Sequence, residues 1–566
     1  MPDDASTTPA SETPRKSAAG TVAAGIFSSR IVGLIRERVL AYFFGVGAHA
    51  DVVQFAFRAP NLLQNLLGEG TISAAFIPIY SRMIEDGRPR DAGRFAGAIF
   101  GLLLAAAAGV ALLGIVAAEP IVTVLAYGWT DDAALVAQGE LPINRFALAV
   151  NAVRIMFPMA GLLVLAAWAL GVLNSHRRFF VPYVAPVLWN VAIISGVAGG
   201  AYLYAGTPWA LTPEALSEST LNQLVVATCV GALGGGLLQF LVQLPVVARA
   251  MPSFRFSLST RVEGVREALQ AFGPVVAGRG VAQISGYIDM FLAALLAAGA
   301  LSALRFGLLF YMLPISLFGM SVAASELPEL SRLTDDRVQS FLARVRRSLR
   351  QILFLTTPTV IGYLAFGFLI VGALLRTGSF NVNGNWLVYL VLATYSLGLL
   401  ATTMSRLLQN AFYALGDTKT PAWIAVLRVT VSAVLAVPLM VWLDGFALAD
   451  VVGVPAAEQP LFLGALGLGL GATGGAWVEL WRLRAALRRR ITDFALPWGR
   501  LARMIGLALA AAAPTAGLWW LLPAWPVIAT AALVVSVYAA LYLGGAYLAG
   551  FDELDAWAGR FLRRSS

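Results

Sequence analysis

Apolar runs of about twenty residues follow one another down nearly the whole chain, each closed by charged residues or by proline and glycine, and about fourteen can be marked. Runs of that length suit helices crossing a hydrocarbon core, so the sequence predicts an all-α polytopic membrane protein. The expected spans are 20-46, 52-83, 92-117, 146-173, 180-204, 221-248, 270-298, 302-330, 349-372, 385-412, 421-443, 460-485, 501-522 and 525-549. Hydrophobic residues make up 59% of the 566 and charged ones only 13%, which excludes an ordinary soluble protein. The second span is the least regular, because Pro60, Gly68, Gly70 and Pro78 should bend or break it. Broken helices at membrane depth are tolerated where they line a cavity.

The net charge of +9 reflects topology and not nucleic-acid binding, since the arginines sit in short loops between apolar runs. They gather after even-numbered spans: Arg82, Arg88, Arg90 and Arg94, then Arg177 and Arg178, then Arg249, Arg255, Arg261 and Arg266. The same side receives Arg337, Arg344, Arg346, Arg347, Lys419, Arg488 to Arg490, Arg563 and Arg564, whereas 205-220 and 444-459 are nearly free of cations. Both termini are therefore expected in the cytoplasm. Residues 1-19 read as a disordered cytoplasmic tail, retained because Arg30 and Arg36 interrupt any signal-peptide core. A single cysteine, Cys229, excludes an internal disulfide, and with only His49 and His176 no zinc site or Cys/His nucleophile is expected.

The chain also repeats. TISAAFIPIYSR at Thr71 to Arg82 aligns without a gap on SVAASELPELSR at Ser321 to Arg332, matching Ala74 with Ala324, Pro78 with Pro328 and Ser81 with Ser331. An even number of spans separates the copies, so the repeat is parallel, as in transporters with two related halves. The expected domains are an N-lobe at 20-248, a C-lobe at 270-485, two appended helices at 501-549 and a cytoplasmic tail at 550-566.

Candidate chemistry concentrates in Ser28 to Met83, which carries Arg30, Arg36, Glu37, Arg38, Asp51, Arg58 and Glu69 inside two membrane passes. An arginine at the centre of a membrane helix costs roughly 2.5 to 3.5 kcal/mol on insertion scales, so such a group usually faces a wet cavity or a charged ligand. Arg30 and Arg36 lie about 9 Å apart along a helix and can border one cavity from adjoining faces. A sugar-linked diphosphate fits that span, and the arginine fork suits phosphate. The competing readings are that Arg36 and Arg38 snorkel to an interface or pair with Glu37, or that Arg30 pairs with Glu37. Asp51 and Glu69 either hold these arginines while the site is empty, or respectively cap the second helix and neutralise Arg58. Asp289 in the seventh span is a candidate for a coupling cation or proton, with pairing to Arg279 as the alternative. No GxxxxGK[ST] loop is present, so ATP hydrolysis by this chain is not expected, nor is any enzyme activity.

The run SRIVGLIRERVLAYFFGVGAHADVVQFAFRAPNLLQNLLGEGTISAAFIP resembles the N-terminal signature of the MurJ/MviN lipid II flippases, within the multidrug/oligosaccharidyl-lipid/polysaccharide exporter superfamily. GVLNSHRRFFVPYVAPVLWNVAI, QISGYIDMFLAALLAAGALSAL, RTGSF and NAFYALGDTKTP continue the match in order through twelve spans. What the resemblance implies is a two-lobed transporter whose cationic cavity receives the lipid II head, with the undecaprenyl tail near a groove of the last two helices. Ser29, Arg30, Arg36, Asp51 and Glu69 match the family's functional polar positions, and Arg58 and Arg279 join the expected substrate-binding set. The expected partners are lipid II or a related undecaprenyl-diphosphate lipid and membrane lipids. The chain is expected to work as a monomer in the bacterial cytoplasmic membrane. No cofactor is expected beyond the membrane potential or a monovalent cation.

Departures from the pattern are specific. Gln64 and Asn65 stand where the family has arginines in its second span, and Leu308 and Leu309 stand at the Asp-Arg positions of its eighth. Arg279, Arg305 and Arg428 are the membrane-region cations available to replace them. The altered head-group contacts leave open an exporter of another lipid-linked oligosaccharide or amphiphile, or a scaffold for cell-wall enzymes that transports nothing.

Overall fold

The computed structural model describes residues 13–206, 216–319, 338–456, 459–491, 494–522 and 525–554. Among these, a helix or a run of short helices stands at each expected span. Among the described residues nine helices are long and apolar enough to cross a membrane, or ten if Val382–Ser396 and Leu399–Ala414, bent by 43°, form one span. The chain divides into two compact units, Met1–Phe44 with Ala48–Phe291, and Gly45–Gly47 with Leu292–Ser566. The division falls inside helix Val265–Ala294, which the sequence reading had assigned whole to the second lobe. The second copy of the repeat, 321–332, lies outside the described residues.

The first unit opens with α1 (Thr13–Phe44), followed by the second span broken into α2 (Ala48–Arg58), α3 (Asn61–Leu67), α4 (Glu69–Ala75) and α5 (Ile77–Glu85). The breaks fall at Ala59–Pro60, at Gly68 and at Phe76, beside the residues that interrupt a helix. Gly68 is extended (φ −83°, ψ −153°) and donates its N–H to the Gln64 carbonyl at 2.8 Å. A Cβ there would lie 2.2 Å from that oxygen, so only glycine fits.

Then come α6 (Pro89–Val116), α7 (Ala118–Leu125), α8 (Asp132–Ala137), α9 (Arg145–Ser175), α10 (Phe180–Ala205), α11 (Glu218–Leu241), α12 (Leu244–Ala250) and α13 (Val265–Ala294). The middle of α9 is 78% buried, and it touches α2, α3, α4, α6, α7 and α11, which makes it the hub against which the broken span is stacked. Its start is fixed by Arg145, whose guanidinium clasps the Asp132 carboxylate at 2.8 and 2.9 Å and lies 5.2 Å from the Trp129 ring. Both partners are buried, so each offsets the other's lost hydration. Helices α10 and α11 approach through Gly196 and Gly231, where a Cβ on either would fall within 3 Å of the other's Cα.

The second unit contains α14 (Ala300–Pro314), continued by a π turn over Ile315–Gly319, then α15 (Val338–Leu375), α16 (Val382–Ser396), α17 (Leu399–Ala414), α18 (Lys419–Leu443), α19 (Leu448–Val452), α20 (Gly464–Arg490), α21 (Trp498–Trp520) and α22 (Val527–Leu548). Lipid tails give apolar helices no hydrophobic reason to associate, so close backbone contact carries the packing. Gly467, Gly471 and Gly475 recur at four-residue spacing along α20 and meet Met440, Ala436 and Ser432 of α18, where an added Cβ would fall 2.0 to 2.6 Å from the facing atoms. The loop before α18 is tied by Asp417, which accepts from the Thr420 N–H at 2.9 Å and hydroxyl at 2.7 Å and from Arg490 at the end of α20. This accounts for the GDTKTP run: the aspartate caps one helix and pins the end of another.

Candidate functional site

Arg36 is the best-held of the expected site cations. Its Nη1 donates to Asn190 Oδ1 at 2.9 Å, its Nη2 pairs with Glu37, and its guanidinium lies 5.3 Å from the Trp189 ring and 5.9 Å from the Phe57 ring. Three helices meet here: α1 brings the arginine, α2 brings Phe57, and α10 brings Trp189 and Asn190. Asn190 is itself buried and aimed, because its amide donates to the Pro186 carbonyl at 2.9 Å, leaving the side-chain oxygen for Arg36. Trp189 is fixed in the same way by donating its indole N–H to the Ala232 carbonyl at 3.2 Å.

Of the readings the sequence left open, the pairing of Arg36 with Glu37 is present. The Arg36 side chain is only 18% exposed and lies beside two aromatic rings, whose negative potential favours a cation. Its Nε is buried without a hydrogen-bond partner among the described residues, so part of the donor fork is unused. Arg30 is exposed, and among the described residues it makes no ion pair, Glu37 being taken by Arg36. Ser29 beside it is half-buried.

Arg58 is a second expected site cation held by contacts within this unit. Its guanidinium lies 5.4 Å from the Tyr287 ring on α13, and the Tyr287 hydroxyl returns to donate to the Arg58 carbonyl at 3.1 Å. Gly286 makes the space: a Cβ there would sit 2.0 Å from Arg58 Nη2. One turn below, Asn65 Nδ2 donates to Gln283 Oε1 at 3.1 Å, so a neutral amide pair joins α3 to α13 at a position where the family pattern carries an arginine. These contacts bring α2 and α3 against α13 within the first unit.

The remaining expected residues are less closely tied to Arg36. Asp51 is 1% exposed in the first turn of α2, buried more deeply than a simple solvent-facing cap. Glu69 begins α4, and its side chain lies outside the described residues, as does that of Arg279. Asp289 is half-buried on α13, two residues beyond Tyr287. Among the described residues no His/Cys/Asp/Glu group is arranged to hold a metal ion.

In the second unit Arg428 is not a spare cation, because its Nη1 pairs at 2.8 Å with Glu479, a carboxylate 1% exposed that also accepts from Gln409 Nε2 at 2.7 Å. The sequence reading counted Arg428 among replacements for the missing charges; its charge is already matched by an acid two helices on in the chain. Leu308 and Leu309 are half-buried on α14. Sequence reasoning missed Phe57, Trp189, Asn190 and Tyr287 as supports for the cations. The signal was an asparagine beside a tryptophan within the apolar run PVLWNVAI, the one amide of α10.

Comparison with known proteins follows the same line. The family profile described as Lipid II flippase MurJ matches residues 40–536, starting just beyond Ser29, Arg30 and Arg36. A Rhizobium tropici protein called a probable lipid II flippase MurJ is 32% identical over 439 residues, covering 76% of this chain and 77% of its own. The lipid II flippase MurJ of Burkholderia cenocepacia is 31% identical over 468 residues, covering 81% of this chain and 85% of its own. Among solved structures, a lipid II flippase MurJ in an inward closed conformation superposes with a TM-score of 0.69 at 20% identity, over 92% of this chain and 97% of that one. An inward-facing multidrug resistance MATE family transporter of the MOP superfamily gives 0.54 at 16% identity, over 84% and 98%.

Proposed function

Because this chain belongs to the lipid II flippase MurJ family, we propose that it carries lipid II, an undecaprenyl-diphosphate-linked peptidoglycan precursor, from the inner to the outer leaflet by alternating access. It is a multi-pass membrane transporter and not an enzyme. The observation that carries the reading is the family match over residues 40–536, which spans both units of the fold. The membrane is the bacterial cytoplasmic membrane, with both termini on the side where the arginine-rich loops gather, and the working unit is a monomer.

The head group is gripped through its diphosphate by Arg30 and Arg36, with Ser29, Asp51, Arg58, Glu69 and Arg279 completing the site. What supports a role for Arg36 is its chemistry: a permanently charged fork whose Glu37 partner can be exchanged for phosphate, while Asn190 and the Trp189 ring keep the guanidinium in place. Glu37 thereby acts as an internal anion that offsets the arginine's charge while no substrate is bound. Desolvating an unpaired arginine at membrane depth is costly, so an exchangeable partner lowers the barrier between loaded and empty states.

Return of the empty cations is driven by the membrane potential, worth about 2.3 kcal/mol per charge per 100 mV, with Asp289 as the group that would bind a monovalent cation if one is coupled. The test is genetic: in a cell whose sole lipid II flippase is depleted, this chain sustains growth and its Arg30→Ala variant does not. Failure of the wild-type chain, expressed in the membrane, to support growth would overturn the proposal.

A further inference from the structure

At the arginine-rich end of α20, in the second unit, a cavity of about 280 Å³ is lined by Trp481, Arg484, Ala485, Arg488 and Arg489, none of which is assigned above to the substrate. Arg484 and Arg488 are one turn apart and face the same side. The Arg484 guanidinium lies 5.1 Å from the Trp481 ring, an uncharged partner, and its Nε is buried with no hydrogen-bond acceptor among the described residues. Among the described residues none of these arginines makes an ion pair. Neighbouring charges are already matched: Arg490 is bound to Asp417, and Glu479 to Arg428 and Gln409. Among the described residues the cavity thus holds three cations and no acid.

Helix-end arginines complement the macrodipole and mark topology, but neither effect explains a cavity with a buried, unsatisfied guanidinium N–H. An anion explains it. The level of the site identifies the kind of anion. Trp481, 44% exposed, stacks on Trp498 at the start of α21 with ring centroids 5.5 Å apart, and exposed tryptophans at span ends mark the headgroup layer. The volume is below that of typical small-molecule pockets of roughly 300 to 1,000 Å³, enough for a phosphate and glycerol but not for a disaccharide-pentapeptide.

We propose that this cavity binds the phosphodiester headgroup of an anionic glycerophospholipid, with Arg484, Arg488 and Arg489 on the phosphate oxygens and Trp481 against the glycerol. Arginine clusters on the basic side of a membrane protein attract such headgroups by charge and by the arginine fork. The lipid then lies beside the Trp481–Trp498 stack, where the end of α20 meets the start of α21. This site does not rest on the transport reading, and its test reads binding alone.

The experiment is native mass spectrometry of the full chain released from detergent micelles, titrated separately with phosphatidylglycerol, phosphatidylcholine and inorganic phosphate. Phosphatidylglycerol is expected to bind at least tenfold more tightly than phosphatidylcholine, and inorganic phosphate at millimolar concentration is expected not to displace it. Substituting all three arginines by glutamine (Arg484→Gln, Arg488→Gln, Arg489→Gln) should weaken phosphatidylglycerol about 100-fold, at about fivefold for each charge removed near the surface. The corresponding triple lysine variant, which keeps the charge, should recover most of that loss and controls for misfolding. Equal affinity for the two lipids, unchanged binding in the glutamine variant, or displacement by inorganic phosphate would each overturn the proposal, the last by identifying a site for free phosphate.

Discussion

Replacing Asn190 with leucine tests whether the Arg36 cation must be oriented or need only be present. Leucine nearly conserves the volume, so the packing of α10 against α1 and α11 is retained while the acceptor at 2.9 Å from Arg36 Nη1 disappears. A hydrogen bond to a charged group contributes about 1.5 to 3 kcal/mol, which corresponds to a tenfold to 150-fold fall in the population of the oriented guanidinium. The two rings remain, as does Glu37, so the arginine stays in the unit and turns toward its acidic neighbour. Lipid II binding to the purified chain in nanodiscs should weaken by that tenfold to 150-fold range, and growth of a flippase-depleted strain should fail at low expression and recover at high expression. Asn190→Asp should be worse, because a second carboxylate beside Arg36 competes with the diphosphate. If Asn190→Leu bound lipid II as tightly as wild type while Arg36→Ala lost it, the orienting role assigned to Asn190 would be refuted.

Three further outcomes follow from particular contacts. Gly286→Ala should push Arg58 off the Tyr287 ring, forfeiting a cation–π contact of about 0.5 to 2 kcal/mol; a drop in melting temperature that Arg58→Ala introduced alongside does not enlarge is the signature, and additive losses would refute it. Arg428→Leu strands a buried carboxylate and should destabilise the chain by about 3 to 5 kcal/mol in a detergent melt, whereas the double change Arg428→Leu with Glu479→Leu should recover much of that loss. Hydrogen bonding from the Thr420 hydroxyl and backbone holds the Asp417 carboxyl below its ordinary range, with Arg490 adding to it. Its contribution is therefore present above the unfolded carboxylate pKa of about 4 and is lost as pH falls below that value. The melting difference between wild type and Asp417→Asn should stay constant from about pH 8 to about pH 5 and shrink only in more acid solution.

Membrane burial made much of this protein readable from its sequence. Because lipid offers no partner to backbone N–H and C=O groups, a span must be a helix of fixed minimum length, and apolar runs bounded by charges locate each one. The breaks of the second span were equally legible, since Pro60, Gly68 and Pro78 act on the backbone through local sterics alone. The costly arginines of the first two spans announced themselves for the same reason: a charge at that depth needs a partner, a wet cavity or a ligand.

Which partner each one takes was decided only by tertiary structure. Arg36 lies 154 positions from Asn190, and Arg58 carries its guanidinium over a tyrosine on α13, distances in sequence that no periodicity encodes. Arg428 looked like an available cation until the fold set it against Glu479 of α20. Composition fixes how much charge enters the membrane, a sum over residues taken singly. Whether a charge is neutralised or kept for a ligand depends on a pairwise distance of a few ångströms, and the folding of separate helices onto one another creates that distance.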